Sequence, residues 1–405
     1  MSHQAVDLAP AQSGRTDAAY SLCQMTLYAL RLGTLGFGGP VALVGYMHRD
    51  LVERRGWISE AEYKEGLTLA QLMPGPLAAQ LAIYLGYVHY GIAGATLVGT
   101  AFVLPSFLMV VALGWAYARF GGLSWMQAVF YGVGPAVIAI ITLSAYKLTQ
   151  RTIGKSPLLW GIYLVSAAVT VLTESELILL FLGAGALTWL IRTPPGFLSR
   201  SPKAAAALAL WPLGMSPPAA ETWDWPNLGR IALFFTKAGA FVFGSGLAIV
   251  PFLYSGVVKE YQWMNDREFL DAVAVAMITP GPVVITVGFI GYHVQGLAGA
   301  TVAALATFLP CYLFTIVPAP YFRKHGKRPG IVAFVDGVTA AAIGAIAGSV
   351  LVLGRRTLLN PEGAAELAKL AVLAIALALL WKFKKLPEPV VVLGAAIVGL
   401  LTYRR

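Results

Sequence analysis

Uncharged, largely apolar runs recur along this chain and constrain its fold more than any other feature. Examples are Ala95–Tyr117, Gly121–Tyr146 and Gly337–Gly354. Each is near the roughly 20 residues that cross about 30 Å of hydrocarbon as a helix. In lipid the backbone must satisfy its own hydrogen bonds, which leaves helices or a closed barrel. Barrel strands alternate polar and apolar residues, and these runs do not, so the expected fold is an all-α polytopic membrane protein. Composition agrees: charged residues are 12% of the 405 and mean hydropathy is +0.72, whereas soluble domains carry about 25% charged residues. The net charge of +10 points to basic cytoplasmic loops, such as Arg323–Arg328 and Lys382–Lys385, rather than to nucleic acid. Met1–Tyr20 is polar and does not read as a signal peptide. Cys23 and Cys311 fit neither a disulfide framework nor a metal cluster, and no cofactor motif is present.

The chain repeats itself. Phe37-Gly38-Gly39-Pro40 returns as Phe243-Gly244-Ser245-Gly246, and Pro74-Gly75-Pro76 as Pro280-Gly281-Pro282, both 206 residues on. The same shift carries Trp57 onto Trp263 and Glu65 onto Asp271. After one lost residue the shift is 205, and Gly86-Tyr87, Leu104-Pro105 and Gly132-Val133 find partners at 291, 309 and 337. The expected organisation is a polar segment 1–19, a first repeat 20–192, a linker 193–226 and a second repeat 227–405. Matched loops differ in basic residues: 48–64 holds Arg49, Arg54, Arg55 and Lys64, while 254–270 holds Lys259 and Arg267. Segment 118–126 holds Arg119 against four Lys or Arg in 323–331. This asymmetry predicts an inverted pair with 48–64 and 323–331 both cytoplasmic. Inversion needs an odd number of crossings between about 150 and 226, and the weak segment Ala204–Met215 is the candidate for the last.

Each half is interrupted twice where a simple spanning helix would not be, at 33–40 and 74–76 and at 239–246 and 280–282. Proline removes a donor and glycine adds freedom, and the flanking apolar pieces are too short to span alone. Re-entrant or broken helices meeting near mid-membrane are expected, with half-helix N-termini offering free N–H groups to an anion. The competing reading is close helix packing or kinking. Candidate substrate-binding residues are Phe37, Gly38, Gly39, Pro40, Phe243, Gly244, Ser245 and Gly246, with Pro74, Gly75, Pro76, Pro280, Gly281 and Pro282. Arg31 and Lys237 are repeat partners just ahead of the first breaks, placed either to neutralise an anion or to snorkel to the headgroups. Gln80 and Thr286, one turn past the second breaks, and Gln71 and Thr279, just before them, offer donors either to an oxyanion or to neighbouring helices. Glu65 and Asp271 are a weak candidate pair for proton coupling; their charged neighbours suggest a solvated helix end instead. His89 and His293 are out of register with the repeat and read as interfacial, as do Tyr87 and Tyr292.

The doubled Phe-Gly-Gly-Pro and Pro-Gly-Pro pattern, with Trp57 and Trp263 between, resembles the chromate ion transporter family in its long two-domain form over about residues 20–400. The resemblance implies export of chromate, a tetrahedral dianion, across the bacterial cytoplasmic membrane by a multi-pass transporter, with chromate resistance as the outcome. It implies no enzyme activity and no cofactor, and a homodimer is compatible with it. Another anion such as sulfate remains open from the sequence, and a membrane-embedded enzyme is the remote alternative.

Overall fold

The computed structural model describes residues 20–37, 39–120, 124–174, 178–194, 227–240, 246, 249–325, 328–359, 366–383 and 386–403. Among these, helix dominates and no β-strand occurs. Gly38, Phe243, Gly244, Ser245 and the segment Ala204–Met215 lie outside the described residues.

The first half opens with α1 (Leu22–Leu35), started by a Ser21–Gln24 capping box that satisfies free N–H groups at the helix end. After Gly36, α2 (Gly39–Met47) runs into a π-helical turn, His48–Arg54. α3 (Glu60–Leu72) begins with a second capping box, Ser59–Glu62. The break at Pro74-Gly75-Pro76 precedes α4 (Leu77–Phe120), which folds sharply at Gly91 (φ 57, ψ −145). Then come α5 (Ser124–Thr152), α6 (Pro157–Thr173) and α7 (Ile178–Arg192). The second half follows the same order. α8 (Asn227–Ala240) is followed by α9 (Ile249–Tyr254) with its π-helical turn Ser255–Glu260, and by α10 (Asp266–Ile278), capped by Asn265 and Glu268. A 3-10 turn (Val283–Ile285) leads into α11 (Thr286–Ile316), folded at Gly296 with φ 57 and ψ −148. α12 (Ala319–His325), α13 (Pro329–Leu358), α14 (Leu367–Lys382) and α15 (Glu388–Thr402) complete the chain. The matched folds at Gly91 and Gly296 place the 205-residue shift in the backbone itself.

The breaks among the described residues are the tips of helical hairpins. Residues 77–90 double back along 92–120: a Cβ on Gly86 would meet Gly94 O at 2.4 Å, and one on Gly99 would meet Ile83 Cγ1 at 2.7 Å. In the other direction, residues 77–90 lie against α3, where a Cβ on Gly66 would meet Tyr84 Cδ1 at 2.2 Å. Pro74-Gly75-Pro76 is therefore the closed end of a re-entrant pair. α1 and α2 form another, with Gly36 against Leu43 and the Arg55 guanidinium 5.3 Å from the Tyr28 ring. The arms left to cross are 92–120 and 297–316, and twenty residues at 1.5 Å per residue make about 30 Å.

The later helices exchange partners between halves. A Cβ on Gly132 in α5 would sit 2.0 Å from Ala395 O in α15, and one on Gly337 in α13 would sit 2.3 Å from Ala184 O in α7. α13 also lies on α6, where Gly344 meets Tyr163 O and Gly348 meets Ala167 O. Each half thus closes its core with helices of the other. Where the matched helices α5 and α13 touch, Gly134 faces Thr357 and Gly354 faces Ile138, so they run antiparallel. α12 rests on α3, which brings the ends of the basic segments 48–64 and 323–331 to one face. At the opposite face Arg356 joins Glu174 and Asp266, and Lys259 joins Glu174 at 2.6 Å.

Four helical stretches are long and apolar enough to cross a membrane: Leu77–Phe120, Ser124–Gln150, Val283–Phe322 and Pro329–Leu358. Large apolar side chains face outward, Leu172 at 83%, Leu367 at 84% and Leu401 at 80% exposure. A water-facing surface would not carry so many, whereas hydrocarbon accepts them at no cost.

Candidate functional site

Tips from the two halves meet. The Gly281 N–H, at the closed end of the α10–α11 hairpin, donates to Gly36 O, at the closed end of the α1–α2 hairpin, at 3.0 Å. Ser106 of α4, fully buried, stands beside them with its hydroxyl 3.4 Å from Gly33 O. Gly281 has φ +93, and a Cβ there would meet Ser106 Oγ at 2.0 Å. Both the conformation and the space exclude a side chain. On the other side of this junction Gly246 lies against Val283 and Val284, so the end of the first break of the second half abuts the second break of the same half.

The candidate donors fall into two groups. Gln80 is fully buried and donates through Nε2 to Pro74 O at 2.7 Å, tying off its own hairpin tip. Its Oε1 is buried with no partner among the described residues. Thr286 donates to Val283 O at 2.8 Å and Thr279 to Ala276 O at 3.0 Å. These three close local turns. Gln71 and Phe37 are exposed, Gly39 and Pro40 half-buried, and Gly75 (φ +142) and Pro76 buried with Pro280, Gly281 and Pro282.

Arg31 and Lys237 are both exposed, Arg31 in the second half of α1 and Lys237 on the last turn of α8. Lys237 lines a cavity of about 110 Å³ with Ser255, Glu260 and Tyr261, between the arms of the α8–α9 hairpin. The lining thus carries both signs of charge, the Lys237 ammonium and the Glu260 carboxylate, with the Ser255 hydroxyl between aromatic walls.

Two carboxyls have surroundings that sequence reasoning missed. Asp271 was expected at a solvated helix end; instead it is 3% exposed and accepts a hydrogen bond from the Tyr117 hydroxyl of the other half at 2.8 Å. Its neighbours Asp266, Arg267 and Glu268 occupy the first turn of α10, while Asp271 is on the inward face a turn later, a distinction that charge counting alone does not make. Its partner Glu65 is half-buried. Glu388 starts α15 with its carboxylate oxygens 3.7 and 3.9 Å from where a Cβ on Gly39 would be. The signal for it was a lone acid between Pro387 and Pro389 at the head of an apolar run. The two histidines, one residue out of register, do matching work. His89 Nε2 lies 3.1 Å from Glu62 and His293 Nε2 4.0 Å from Glu268, both acids at the third position of matched helices.

Among the described residues no group of His, Cys, Asp and Glu is placed to hold a metal ion. The arrangement offers buried tips, a few hydroxyls and isolated charges at the junction of two halves.

Comparison with known proteins gives the family. The chromate transporter family matches the chain twice, over residues 23–189 and 229–400. A chromate transport protein of Cupriavidus metallidurans is 66% identical over 402 residues, covering 99% of this chain and 98% of that protein. A probable chromate transport protein of Synechococcus elongatus is 63% identical over 96% of this chain and 97% of its own length. A chromate transport protein of Pseudomonas aeruginosa is 31% identical over 92% of this chain and 91% of its own. No solved structure matches the chain. The two matched stretches correspond to the two halves of the fold, and the chain belongs to the chromate transporter family.

Proposed function

We propose that this protein exports chromate from the bacterial cytoplasm across the inner membrane by alternating access at the junction of its two halves, and so confers chromate resistance. The observation that carries the mechanism is the hydrogen bond between Gly281 and Gly36, which joins re-entrant tips of different halves. Supporting an inverted relation of repeats 20–192 and 227–405 is the antiparallel run of α5 and α13. With 48–64 and 323–331 cytoplasmic, Arg192, bound to Asp336 and Ser156, lies at the cytoplasmic face and Asn227 at the opposite one. The substrate-contacting residues are drawn from 37–40, 243–246, 74–76 and 280–282. Arg31 and Lys237 attract the anion, and Gln71, Gln80, Thr279 and Thr286 shape the tips.

The energetics need only the charge of the substrate. Chromate is largely a dianion at neutral pH. Moving two charges through 100 mV releases about 4.6 kcal/mol, at about 2.3 per charge. At about 1.4 kcal/mol per decade this sustains a gradient on the order of a thousandfold. Expulsion from a negative interior therefore runs downhill without a coupled ion.

The test is radiolabelled chromate uptake into inverted vesicles, with voltage set by potassium and valinomycin at clamped pH. Uptake that follows voltage and requires the protein is the expected result. No uptake beside a working control transporter overturns the reading, and unlabelled sulfate in competition decides which oxyanion the site prefers.

A further inference from the structure

Among the described residues Asp271 is the most deeply buried acid, 3% exposed. No Lys, Arg or His nitrogen of the described residues lies within ion-pair distance of it. Its hydrogen-bond donor is neutral, the Tyr117 hydroxyl, whose ring is wedged edge-on against Phe130 and Phe289. Asp271 lies on the re-entrant arm of the second half and Tyr117 on the crossing arm of the first, so the bond ties the two halves together. The place matched to Tyr117 in the repeat is Phe322, which brings no hydroxyl to Glu65.

Resting on the transport reading above, we propose that closing this face of the protein is coupled to protonation of Asp271, with Tyr117 as the positioning residue that seats the acid. A carboxylate taken from water with one neutral donor for compensation costs several kcal/mol, whereas the neutral acid does not. Withdrawing α10 from Tyr117 admits water to the carboxyl, which then gives its proton to that water; closure takes one proton back from the same side. The charge state of one residue thus follows the position of the hairpin, and low pH on this side favours the shut form.

The other groups that titrate or carry charge around Asp271 stand on α10 and on the elements packed against it. On α10 they are Arg267 and Glu268, and on α11 His293, which lies 4.0 Å from Glu268. α4 carries Tyr117 and, at its exposed end, Arg119. α5, packed on α10, carries Tyr131, bonded to Glu366, and Lys147, whose charge acts on Glu388. The π-helical turn carries Glu260 and Lys259, the latter joined to Glu174, and α15 begins with Glu388. His293, the histidine among them, is the control.

The experiment measures voltage-driven chromate uptake in proteoliposomes between pH 6 and 8 for wild type, Asp271→Asn, Asp271→Glu, Tyr117→Phe and His293→Gln. Wild type is expected to vary several-fold across this range, Asp271→Asn to be flat and Asp271→Glu to regain the dependence. Tyr117→Phe should move the midpoint, and His293→Gln should leave the profile in place. A wild-type profile in both Asp271→Asn and Tyr117→Phe overturns the proposal, as does transfer of the dependence to His293→Gln. The infrared carbonyl band of a buried protonated carboxyl gives a reading that needs no chromate. It should be present in purified wild type at neutral pH and missing in folded Asp271→Asn, and its absence from wild type also overturns the proposal. A wild type that shows the band yet moves no chromate leaves Asp271 as the protonated group and overturns the transport reading instead.

Discussion

In the first half a Cβ on Gly33 would meet Phe102 O at 2.2 Å, and in the second half a Cβ on Gly239 would meet Thr307 O at 2.1 Å. The folds at Gly91 and Gly296 share the same φ of 57. Backbone-to-backbone crossings are thus repeated almost atom for atom. Side-chain chemistry at matched positions is not. Gln80 reaches back six residues to Pro74, while Thr286 reaches three to Val283. Asp271 is buried under a tyrosine, and Glu65 is half-buried. The lesson is a division of labour: glycines at crossings set the frame twice, and the polar residues give each face of the protein its own behaviour.

The largest effects are expected where the frame is shared. Gly281→Leu should abolish transport, because the left-handed conformation alone costs about 1–3 kcal/mol and the side chain has no room beside Ser106. Gly75→Leu meets the amide end of Gln80 at 2.6 Å, again with positive φ, and should also abolish transport while the protein still reaches the membrane. Full chromate uptake in both variants would break the picture of paired tips.

Next come the clasps. Gly132→Leu and Gly337→Leu each push a side chain into a carbonyl of the opposite half, and each should cost about 1–3 kcal/mol or more. Thermal unfolding in detergent should show similar losses for the two. A loss in only one would mean that the halves hold each other unequally.

Smaller still is the effect of removing one hydroxyl. Tyr117→Phe leaves the buried Asp271 without its donor and should cost about 1–3 kcal/mol of stability. Phe322→Tyr, at the matched place, should change little. Equal shifts in melting temperature for the two would erase the difference between the halves that the buried acid defines.

The smallest effect is at the ion pairs of one face. Arg356→Ala removes ties to Glu174 and Asp266, which at partly exposed positions are worth about 0–1 kcal/mol. Its sign with pH can be checked in wild type. The hydrogen bond from Lys259, with the nearby Arg356 charge, holds the Glu174 carboxyl below the usual range. Its contribution is therefore present above the ordinary carboxylate pKa and lost as pH falls through the lowered value. Melting in acid should show wild type approaching Arg356→Ala in stability, and high salt should narrow the gap at neutral pH.

Much of this fold was legible in the sequence. Two shifts, 206 and 205, placed the matched elements as far as α5 and α13, since a repeat of glycine and proline positions is a repeat of backbone geometry; α14 and α15 begin 210 residues after α6 and α7 and follow neither shift. The breaks at 74–76 and 280–282 were legible because Pro-Gly-Pro cannot continue a helix, and the one after Gly36 because glycines and Pro40 cluster there. What was hidden depends on distance in space. That α5 is clasped by α15 and α13 by α7 has no local signature, because a small residue at a crossing looks the same whichever helix crosses it. Burial of Asp271 was hidden for a related reason: Arg267 and Glu268 advertise water, and the inward face of the helix begins only a turn later. Gln80 shows the limit from the other side, where the residue was legible and its backbone partner was not.

The exchange of partners between halves has a consequence for biosynthesis. Tyr163 in α6 leaves the ribosome long before Gly344, its partner in α13, exists. At roughly 5–20 residues per second, the 181 residues between them take roughly 10–40 s to make. Throughout that interval α6 and α7 sit in the bilayer with their small-residue grooves facing lipid. A chain truncated after α7 would stay in that condition for good, whereas a second polypeptide supplying residues 227–405 would bring the missing surface to it. The late partner, rather than any early nucleus, completes the first half.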